Sequence, residues 1–199
     1  MCSSDLVSKK LITLNVRHSM RFKSFALILK MGCIRMKQKK VFLMAGIPGS
    51  GKSTWIRSKL TPGAEWISRD NVRFAILTDE DDYFAHEDDV FDTFINYINQ
   101  TLENENIHTI YIDATHLNKR SRDKVLRRVR KDNIAELNCV CFDVPLETCY
   151  SRNNLRTGRS RVPQTAIANM YQSYRIPEKG VENFDHIIIV DENGNETEV

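Results

Sequence analysis

The sequence predicts an α/β fold in which helices cover both faces of a five-stranded parallel sheet. Short apolar segments alternate along the chain with segments of helical periodicity, the pattern of a sheet built from strand–helix–strand units. The length of 199 residues, with 41% hydrophobic and 28% charged residues, suits one domain of this kind. We expect the strand order 2-3-1-4-5 with right-handed crossovers.

A glycine-rich loop joins the first strand, at residues 41–45, to the first helix, at residues 54–60. Glycines allow positive φ and let the backbone approach a polyphosphate, so that successive N–H groups point at one anion. In the pattern G-x-x-x-x-G-K-[ST], Lys52 reaches the β- and γ-phosphates and the Ser53 hydroxyl holds Mg²⁺. The sequence therefore predicts a site for ATP and Mg²⁺ in a P-loop made of Gly46, Gly49, Ser50, Gly51, Lys52, Ser53 and Thr54.

The second strand, Ala64–Ser68, leads directly to Asp70. Ligands of open parallel sheets bind beyond the carboxyl ends of the strands, so Asp70 is well placed for chemistry. Asp70 and Arg73 are three residues apart and share a helical face, which suits a base beside an arginine that binds an anion. Asp70 is equally well explained as the N-cap of the helix that follows.

The third strand, residues 107–113, ends in Asp113. An apolar strand closing on an aspartate beside a P-loop predicts a second oxygen partner for the Mg²⁺ that Ser53 holds. His116 follows three residues later. Such a histidine either makes a loop hydrogen bond or contacts the substrate, and we keep it as a candidate substrate-binding residue.

The fourth strand, residues 137–142, is followed by a helix that begins near Pro145 and carries Arg152 and Arg156. Arginines at i and i+4 face the same way. We expect Arg152 to bind ATP, and Arg156, with the basic segment 157–161, to form a lid that neutralises charge on the transferring phosphoryl group. A further helix ends near Tyr174, and residues 186–190 form the fifth strand.

Two charged segments allow two interpretations each. Residues 79–92 contain eight acidic residues and precede an amphipathic helix; they form a solvated loop, or they repel polyanions and attract a cationic substrate. Residues 119–131 contain eight Lys or Arg and one Asp; they form a solvated basic helix, or a rim that follows a nucleic-acid backbone.

Charge is distributed unevenly between a basic extension, residues 1–36, and a catalytic domain, residues 37–199. Residues 1–40 hold ten Lys or Arg and one acid, whereas the remainder has a net charge of −6, so the pI is no evidence for nucleic-acid binding. The extension resembles a transit peptide or a nucleic-acid-binding tail. We favour a third interpretation, in which translation starts at Met31 or Met36.

The five cysteines, at positions 2, 33, 139, 141 and 149, include no C-x-x-C pair, and this predicts neither a disulfide framework nor a zinc site. We expect Cys139 and Cys141 to share one face of a buried strand in a reducing cytoplasm. No apolar segment has the length of a membrane span, so we expect no contact with a membrane.

Several segments, taken together in this order, resemble the P-loop kinase domain of the bacteriophage 5′-polynucleotide kinases and related small bacterial and phage AAA-type ATP-binding kinases. The resemblance covers roughly residues 39–176. The segments that carry it are residues 46–55, 68–73, 113–118 and 142–145, followed by Arg152, Asn153, Arg156, Val162, Pro163, Met170 and Tyr171.

The resemblance implies a role for three residues. Asp70 would be the base that accepts the proton of the attacking hydroxyl, Arg73 would bind the substrate phosphate next to that hydroxyl, and Arg156 would be the lid arginine on the β- and γ-phosphates. This chain departs from the phage pattern at Ala114, which separates Asp113 from Thr115, so Asp113 is assigned to the metal. The Asp-x-Asp-Gly-Thr phosphatase motif is absent from the sequence.

We therefore expect an ATP- and Mg²⁺-dependent kinase, with the 5′-hydroxyl of DNA or RNA as the favoured acceptor. A small-molecule or tRNA-attached hydroxyl is the first alternative. An ATP-driven switch or binding module, which would hydrolyse ATP alone, is the second.

Overall fold

Six strands form one sheet in the computed structural model, which describes residues 39–78, 80–82 and 85–199. The strand order is β2-β3-β1-β4-β5-β6; the first five strands are parallel and β6 is antiparallel to β5. The predicted order of the first five strands is confirmed. The strands are β1 Lys39–Ala45, β2 Ala64–Ser68, β3 Thr109–Asp113, β4 Ile134–Phe142, β5 His186–Val190 and β6 Glu196–Glu198.

Six α-helices of the described residues connect these strands. The first follows the P-loop, the third is the longest, and a short 3₁₀ helix, Gly158–Ser160, lies in the predicted lid. The helices are α1 Lys52–Lys59, α2 Arg69–Ile76, α3 Glu87–Glu103, α4 Lys119–Leu126, α5 Leu146–Asn154 and α6 Gln164–Ser173.

The core has two layers because successive residues of a strand point to opposite faces of the sheet. In β1, Val41 and Leu43 pack against α3 and the segment around α4, whereas Met44 packs on the opposite face with Ile56 of α1 and Ile167 of α6. Both layers are almost fully excluded from solvent. The strands are thus covered on both faces, and their carboxyl ends are left as the edge at which polar residues gather.

The sixth strand is the difference from the predicted fold. Its three residues, Glu196, Thr197 and Glu198, are exposed and polar, so they carry no apolar pattern that would predict a strand. They form a strand because Thr197 pairs with Ile189 at the free edge of β5. The position of β6 at the edge leaves the order of the other strands unchanged.

The remaining expectations have different outcomes. Cys139 and Cys141 lie buried on one face of β4, with their sulfurs 3.6 Å apart. In the part of the chain that is described, no helix has both the length and the apolar character needed to cross a lipid bilayer. The interpretation of residues 1–36 as an extension, with a start at Met31 or Met36, lies outside the described residues and stays a prediction.

Candidate active site

The P-loop turns sharply at two glycines. Gly49 and Gly51 have φ angles of 85° and 103°, in the left-handed region that side chains rarely adopt. A Cβ atom at Gly49 would also overlap the backbone carbonyl of Cys149 in α5. The N–H of Gly46 donates to the carbonyl of Thr115 at 2.9 Å, which ties the start of the loop to the segment after β3.

The loop borders an open cavity of about 240 Å³ at the N-terminal end of α1. Ser50 is buried beneath the loop at 2% exposure, and Thr54 is exposed at the rim. Backbone N–H groups and the positive end of the helix dipole favour an anion here. The residues that line the cavity are Gly49, Gly51, Lys52, Ser53, Thr54, Arg152 and Arg156.

Lys52 extends across the loop. Its Nζ donates to the carbonyl oxygens of Gly46 and Ile47 at 2.8 and 3.0 Å. Burial lowers the pKa of Lys52, and the nearby carboxylates of Asp113 and Asp70 oppose that shift. The ammonium group therefore lies close to both carboxylates and to the phosphate cavity.

Asp113, at the end of β3, is 7% exposed and receives two hydrogen bonds on Oδ2. Ser53 Oγ donates at 3.4 Å and Trp66 Nε1 at 3.1 Å. Burial raises the pKa of Asp113, whereas the charge of Lys52 lowers it. A hydroxyl and a carboxylate are hard oxygen ligands of the kind that Mg²⁺ prefers.

This oxygen pair fits a metal that is shared with a nucleotide. Among the described residues, no three His, Cys, Asp or Glu side chains converge into a metal site of their own. Mg²⁺ typically keeps several waters and is bound through one or two protein oxygens together with substrate phosphates. Ser53 and Asp113 would be the protein residues that hold it.

Asp70 lies in the first turn of α2, and its side chain is 63% exposed. Ser68 caps the helix by accepting the N–H of Asn71 at 3.3 Å, so the alternative that Asp70 is the N-cap is wrong. Ser68 and Asp113 are register partners at the ends of β2 and β3. Asp70, two residues beyond Ser68, consequently reaches the same corner and helps to raise the pKa of Asp113.

Arg73 is only 6% exposed, and its guanidinium is engaged by two carboxylates. Nη1 donates to Asp70 Oδ1 at 2.9 Å, and Nε donates to Glu87 Oε1 at 3.1 Å. Nη2 also donates to Glu87 Oε1. Glu87, the first residue of α3, further accepts from Arg69 at 2.6 Å. The sequence predicts that Arg73 binds a substrate phosphate, and the structure places acidic groups of the chain on all three of its nitrogens.

His116 is 3% exposed and lies beneath the P-loop strand rather than at the cavity. Its Nδ1 is 2.7 Å from the carbonyl oxygen of Met44. Burial lowers the pKa of His116 to about 4, so the ring is neutral near pH 7 and Nδ1–H donates to the carbonyl. Of its two predicted roles, the structure shows the loop hydrogen bond, and substrate contact stays a prediction.

The predicted lid lies beside the cavity. Arg152 Nη1 is 3.5 Å from the carbonyl of Ser50, and its Nη2 donates to the carbonyl of Glu192 at 2.8 Å.

Arg156, two residues beyond α5, lines the same cavity, and its charge lowers the pKa of Lys52. Arg159 donates to the carbonyl of Thr78, so the lid contacts the segment after α2.

Basic residues that follow α4 pair with acidic residues of α3. Arg128 pairs with Asp92 at 2.5 Å, and Arg130 pairs with Glu103. Lys124 Nζ lies 4.3 Å from the ring centroid of Phe91. These contacts are made within the chain, and the choice between the two interpretations of each segment stays a prediction.

Three contributors to the site are missing from the sequence-based prediction. Trp66 lies on the strand before Asp70, and only its pairing beside Tyr111 brings its indole N–H to Asp113. Cys149 contributes its backbone next to Gly49, which no side-chain pattern can signal. Glu87 is one of eight acidic residues in its segment, and the sequence does not distinguish it from the others.

Residues 41–177 match the profile of a protein family described as AAA domain. The chain belongs to this family. It has the α/β P-loop kinase fold that the sequence predicts, and the likeness to P-loop kinases is confirmed. ATP is the nucleotide that P-loop kinases use, and the cavity beside Lys52 lies where this fold binds it.

Similar solved structures include kinases of different acceptors. A chain of the Pnkp1/Rnl/Hen1 RNA repair complex has a TM-score of 0.57 at 20% identity, over 75% of this chain and 52% of that chain. A sugar kinase from Janibacter sp. HTCC2649 has a TM-score of 0.54 at 20% identity, over 79% of this chain and 87% of that one. A fungal RNA kinase has a TM-score of 0.52 at 17% identity, over 77% and 75%. The chain thus spans about half of the RNA-repair protein, and these likenesses concern the fold.

Proposed function

We propose that the protein is a kinase that transfers the γ-phosphoryl group of ATP to a hydroxyl group oriented by Asp70. The observation that carries the proposal is the exposed Asp70 carboxylate, whose charge acts on both Lys52 and Asp113. Asp70 lies two residues beyond Ser68, the register partner of Asp113, so an acceptor beside Asp70 would lie near Lys52 and Asp113.

Each residue has a role set by its position. Lys52 binds the β- and γ-phosphates, and Arg156 offsets the charge that develops on the transferring group. The acceptor oxygen forms a bond to the γ-phosphorus as the bond to the ADP oxygen breaks, and Asp70 accepts the hydroxyl proton. Because phosphoryl transfer is loose, proton transfer can be late, and orienting the hydroxyl is the larger part of the role of Asp70.

The Ser53 and Asp113 oxygens would hold Mg²⁺. When bound, the ion offsets phosphate charge and orients the triphosphate. The hydrogen bond from Trp66 orients the Asp113 carboxylate through Oδ2. Among its described contacts, Oδ1 has no hydrogen-bond donor and could bind the metal. Lys52, close to Asp113, favours the ionised carboxylate that a metal requires.

Two acceptor classes are proposed. The 5′-hydroxyl of a polynucleotide follows from the sequence resemblance, and the likeness to an RNA-repair chain and an RNA kinase is consistent with it. A small-molecule hydroxyl is favoured by one observation: Arg69 and Arg73, the arginines next to Asp70 in α2, already pair with carboxylates.

The test is transfer of radiolabelled γ-phosphate from ATP to a panel of 5′-OH DNA, 5′-OH RNA, tRNA, nucleosides and sugars. We expect at least one acceptor to be labelled. Asp70→Asn should lower kcat by roughly 10² or more while the Kd for ATP is unchanged, whereas Lys52→Ala should weaken ATP binding itself. The exposed Asp132, at the opposite end of the strands, supplies the matched control Asp132→Asn, which should retain activity.

One result would contradict the proposal, and the salt dependence of binding separates the two acceptor classes. ATP hydrolysis without any labelled acceptor, unchanged in Asp70→Asn, would indicate a switch. For a labelled polynucleotide, affinity should fall with salt at a log–log slope of about −0.7 per phosphate contacted, whereas binding of an uncharged small acceptor should be nearly independent of salt.

A further inference from the structure

Glu87 forms ion pairs with Arg69 and Arg73, the two arginines of α2 on either side of Asp70 in the sequence. We propose that Glu87 determines acceptor specificity: by holding Arg73, it excludes acceptors that carry a phosphate next to the reacting hydroxyl. The acceptor is then an alcohol whose neighbouring group is uncharged or cationic, which favours the small-molecule class over the 5′ end of a polynucleotide, where a phosphate follows the first nucleoside. This inference rests on the proposed kinase activity and specifies the acceptor class of the same site.

The geometry leaves Arg73 little capacity for a phosphate. A guanidinium binds an oxyanion best through two parallel N–H groups at one edge. In Arg73 the edge made by Nε and Nη2 is directed at Glu87, and Nη1 donates to Asp70. With the side chain only 6% exposed, an incoming phosphate would have to displace a carboxylate to reach it.

The net charge around Arg73 also disfavours a phosphate. Two cations, Arg69 and Arg73, are paired with two anions, Asp70 and Glu87, so the four side chains have no net charge. A phosphate bound to Arg73 would lie close to both carboxylates, and the two arginine charges of the cluster are already paired with them. An uncharged or cationic acceptor meets no such penalty.

Glu87 is held by the fold and not by the arginines alone. It is the first residue of α3, where the helix dipole favours a carboxylate, and Val90 and Phe91 of the next turn are buried in the core. The guanidinium of Arg69 lies 5.6 Å from the Phe91 ring centroid. Because α3 is anchored in this way, the backbone of Glu87 cannot shift without displacing buried side chains.

The proposal is tested with pairs of alcohols that differ by one phosphate: adenosine and adenosine 3′-monophosphate, ribose and ribose 5-phosphate, glycerol and glycerol 3-phosphate. For each pair, kcat/KM for transfer from ATP is measured with the full chain. We expect the wild type to favour the unphosphorylated member of any pair it uses. Glu87→Gln, which keeps the shape and removes the charge, should shift the ratio toward the phosphorylated member by about tenfold or more.

Three further variants separate specificity from structure. Glu87→Asp keeps the charge and should retain the wild-type preference. Asp88→Asn removes a neighbouring charge of the same helical turn, from an exposed residue, and should leave the ratio unchanged. Adding Arg73→Gln to Glu87→Gln should abolish the gained preference, because Arg73 is the group that Glu87→Gln releases.

A binding assay keeps the inference testable without turnover. With ADP and Mg²⁺ saturating the P-loop, titration calorimetry compares adenosine with adenosine 3′-monophosphate; Glu87→Gln should gain affinity for the phosphorylated ligand alone. A tenfold wild-type preference for the phosphorylated ligand would overturn the inference. So would a Glu87→Gln variant that keeps the wild-type melting temperature but gains no affinity for the phosphorylated ligand. Absence of transfer to every alcohol would instead count against the proposed kinase activity.

Discussion

Ser53 and Asp113, 60 residues apart in the sequence, meet through a hydrogen bond of 3.4 Å between Ser53 Oγ and Asp113 Oδ2. The hydroxyl comes from the first turn of α1, and the carboxylate comes from the last residue of β3. Their meeting joins the phosphate-binding loop to the corner at which Asp70 lies. The proposed Mg²⁺ site therefore depends on both residues.

Asp113→Asn should weaken Mg²⁺ binding by about tenfold or more, because an amide oxygen is a poorer ligand than a carboxylate. Mg²⁺ titration of ATP turnover measures this effect. Ser58→Ala, a change of a hydroxyl that bonds only within α1 among its described contacts, is the control and should leave the titration unchanged. Equal Mg²⁺ affinity in Asp113→Asn and wild type would remove Asp113 from the metal site.

The pKa of Asp113 also predicts a pH dependence of stability. Burial raises this pKa above its usual value of 3.8, so the folded protein binds a proton more readily than the unfolded chain does. The stabilisation from the protonated carboxyl is present below the unfolded pKa and is lost as pH rises through the folded pKa. Urea unfolding without Mg²⁺, over roughly pH 4 to 8, should therefore show wild type losing stability relative to Asp113→Asn as the pH rises.

Gly49→Ala should disrupt the P-loop. The alanine would be strained at φ 85° and would overlap the carbonyl of Cys149, so we expect ATP affinity to fall by at least about tenfold. Gly194 is a matched control because its φ is 86° and no atom lies near an added Cβ. Gly194→Ala should cost about 1–2 kcal/mol of unfolding free energy and leave ATP affinity unchanged. Similar ATP affinities in the two variants would show that the close approach to α5 does not matter.

Arg156→Ala should lower kcat by about 10² or more with a smaller change in the Kd for ATP, because in the proposed mechanism its charge offsets that of the transferring phosphoryl group. Arg161 is the comparison: it belongs to the same basic segment, is exposed, and lies 3.3 Å from the Oδ1 of Asn154. Arg161→Ala should retain kcat. Single-turnover transfer and fluorescent-ATP binding separate the two effects, and equal losses in both variants would contradict a specific role for Arg156.

Glu182→Gln should destabilise the fold by about 3–5 kcal/mol, because it leaves the buried Arg122 without its charged partner. Arg122 is 1% exposed and donates to both Glu182 oxygens, at 2.7 and 2.6 Å. Glu103→Gln breaks an exposed ion pair with Arg130 and should cost at most about 1 kcal/mol. Urea unfolding measures both, and equal costs would mean that burial does not set the strength of the Arg122 pair.

Residues close in sequence account for the parts of the site that could be predicted. The P-loop glycines, Lys52 and Ser53 follow from one motif, and Asp70 and Asp113 follow from their position at the ends of apolar strands. Those strands are recognisable because burial on both faces requires continuous apolar runs, and they pair in the predicted order. The assignment of each residue to catalysis or binding stays a prediction that the variants above test.

His116 shows why the choice between two predicted roles could not be made from the sequence. Its place in the loop after β3 allows a loop hydrogen bond or contact with the substrate, and its positive φ of 40° turns the side chain toward the carbonyl of Met44. The backbone turn that decides this direction depends on how the segment after β3 packs against the P-loop. A histidine in a loop carries no local signal of that packing.

The phosphate-binding loop and the two aspartates at the strand ends are predictable from local sequence, because glycine conformation and apolar periodicity involve only neighbouring residues. The partners of these groups are set by tertiary contacts. Arg73 is engaged by Glu87, fourteen residues away, since the packing of α3 against α2 brings the two together. The choice of one carboxylate among eight in an acidic segment depends on which helix face meets the core, and that is settled only when the chain has folded.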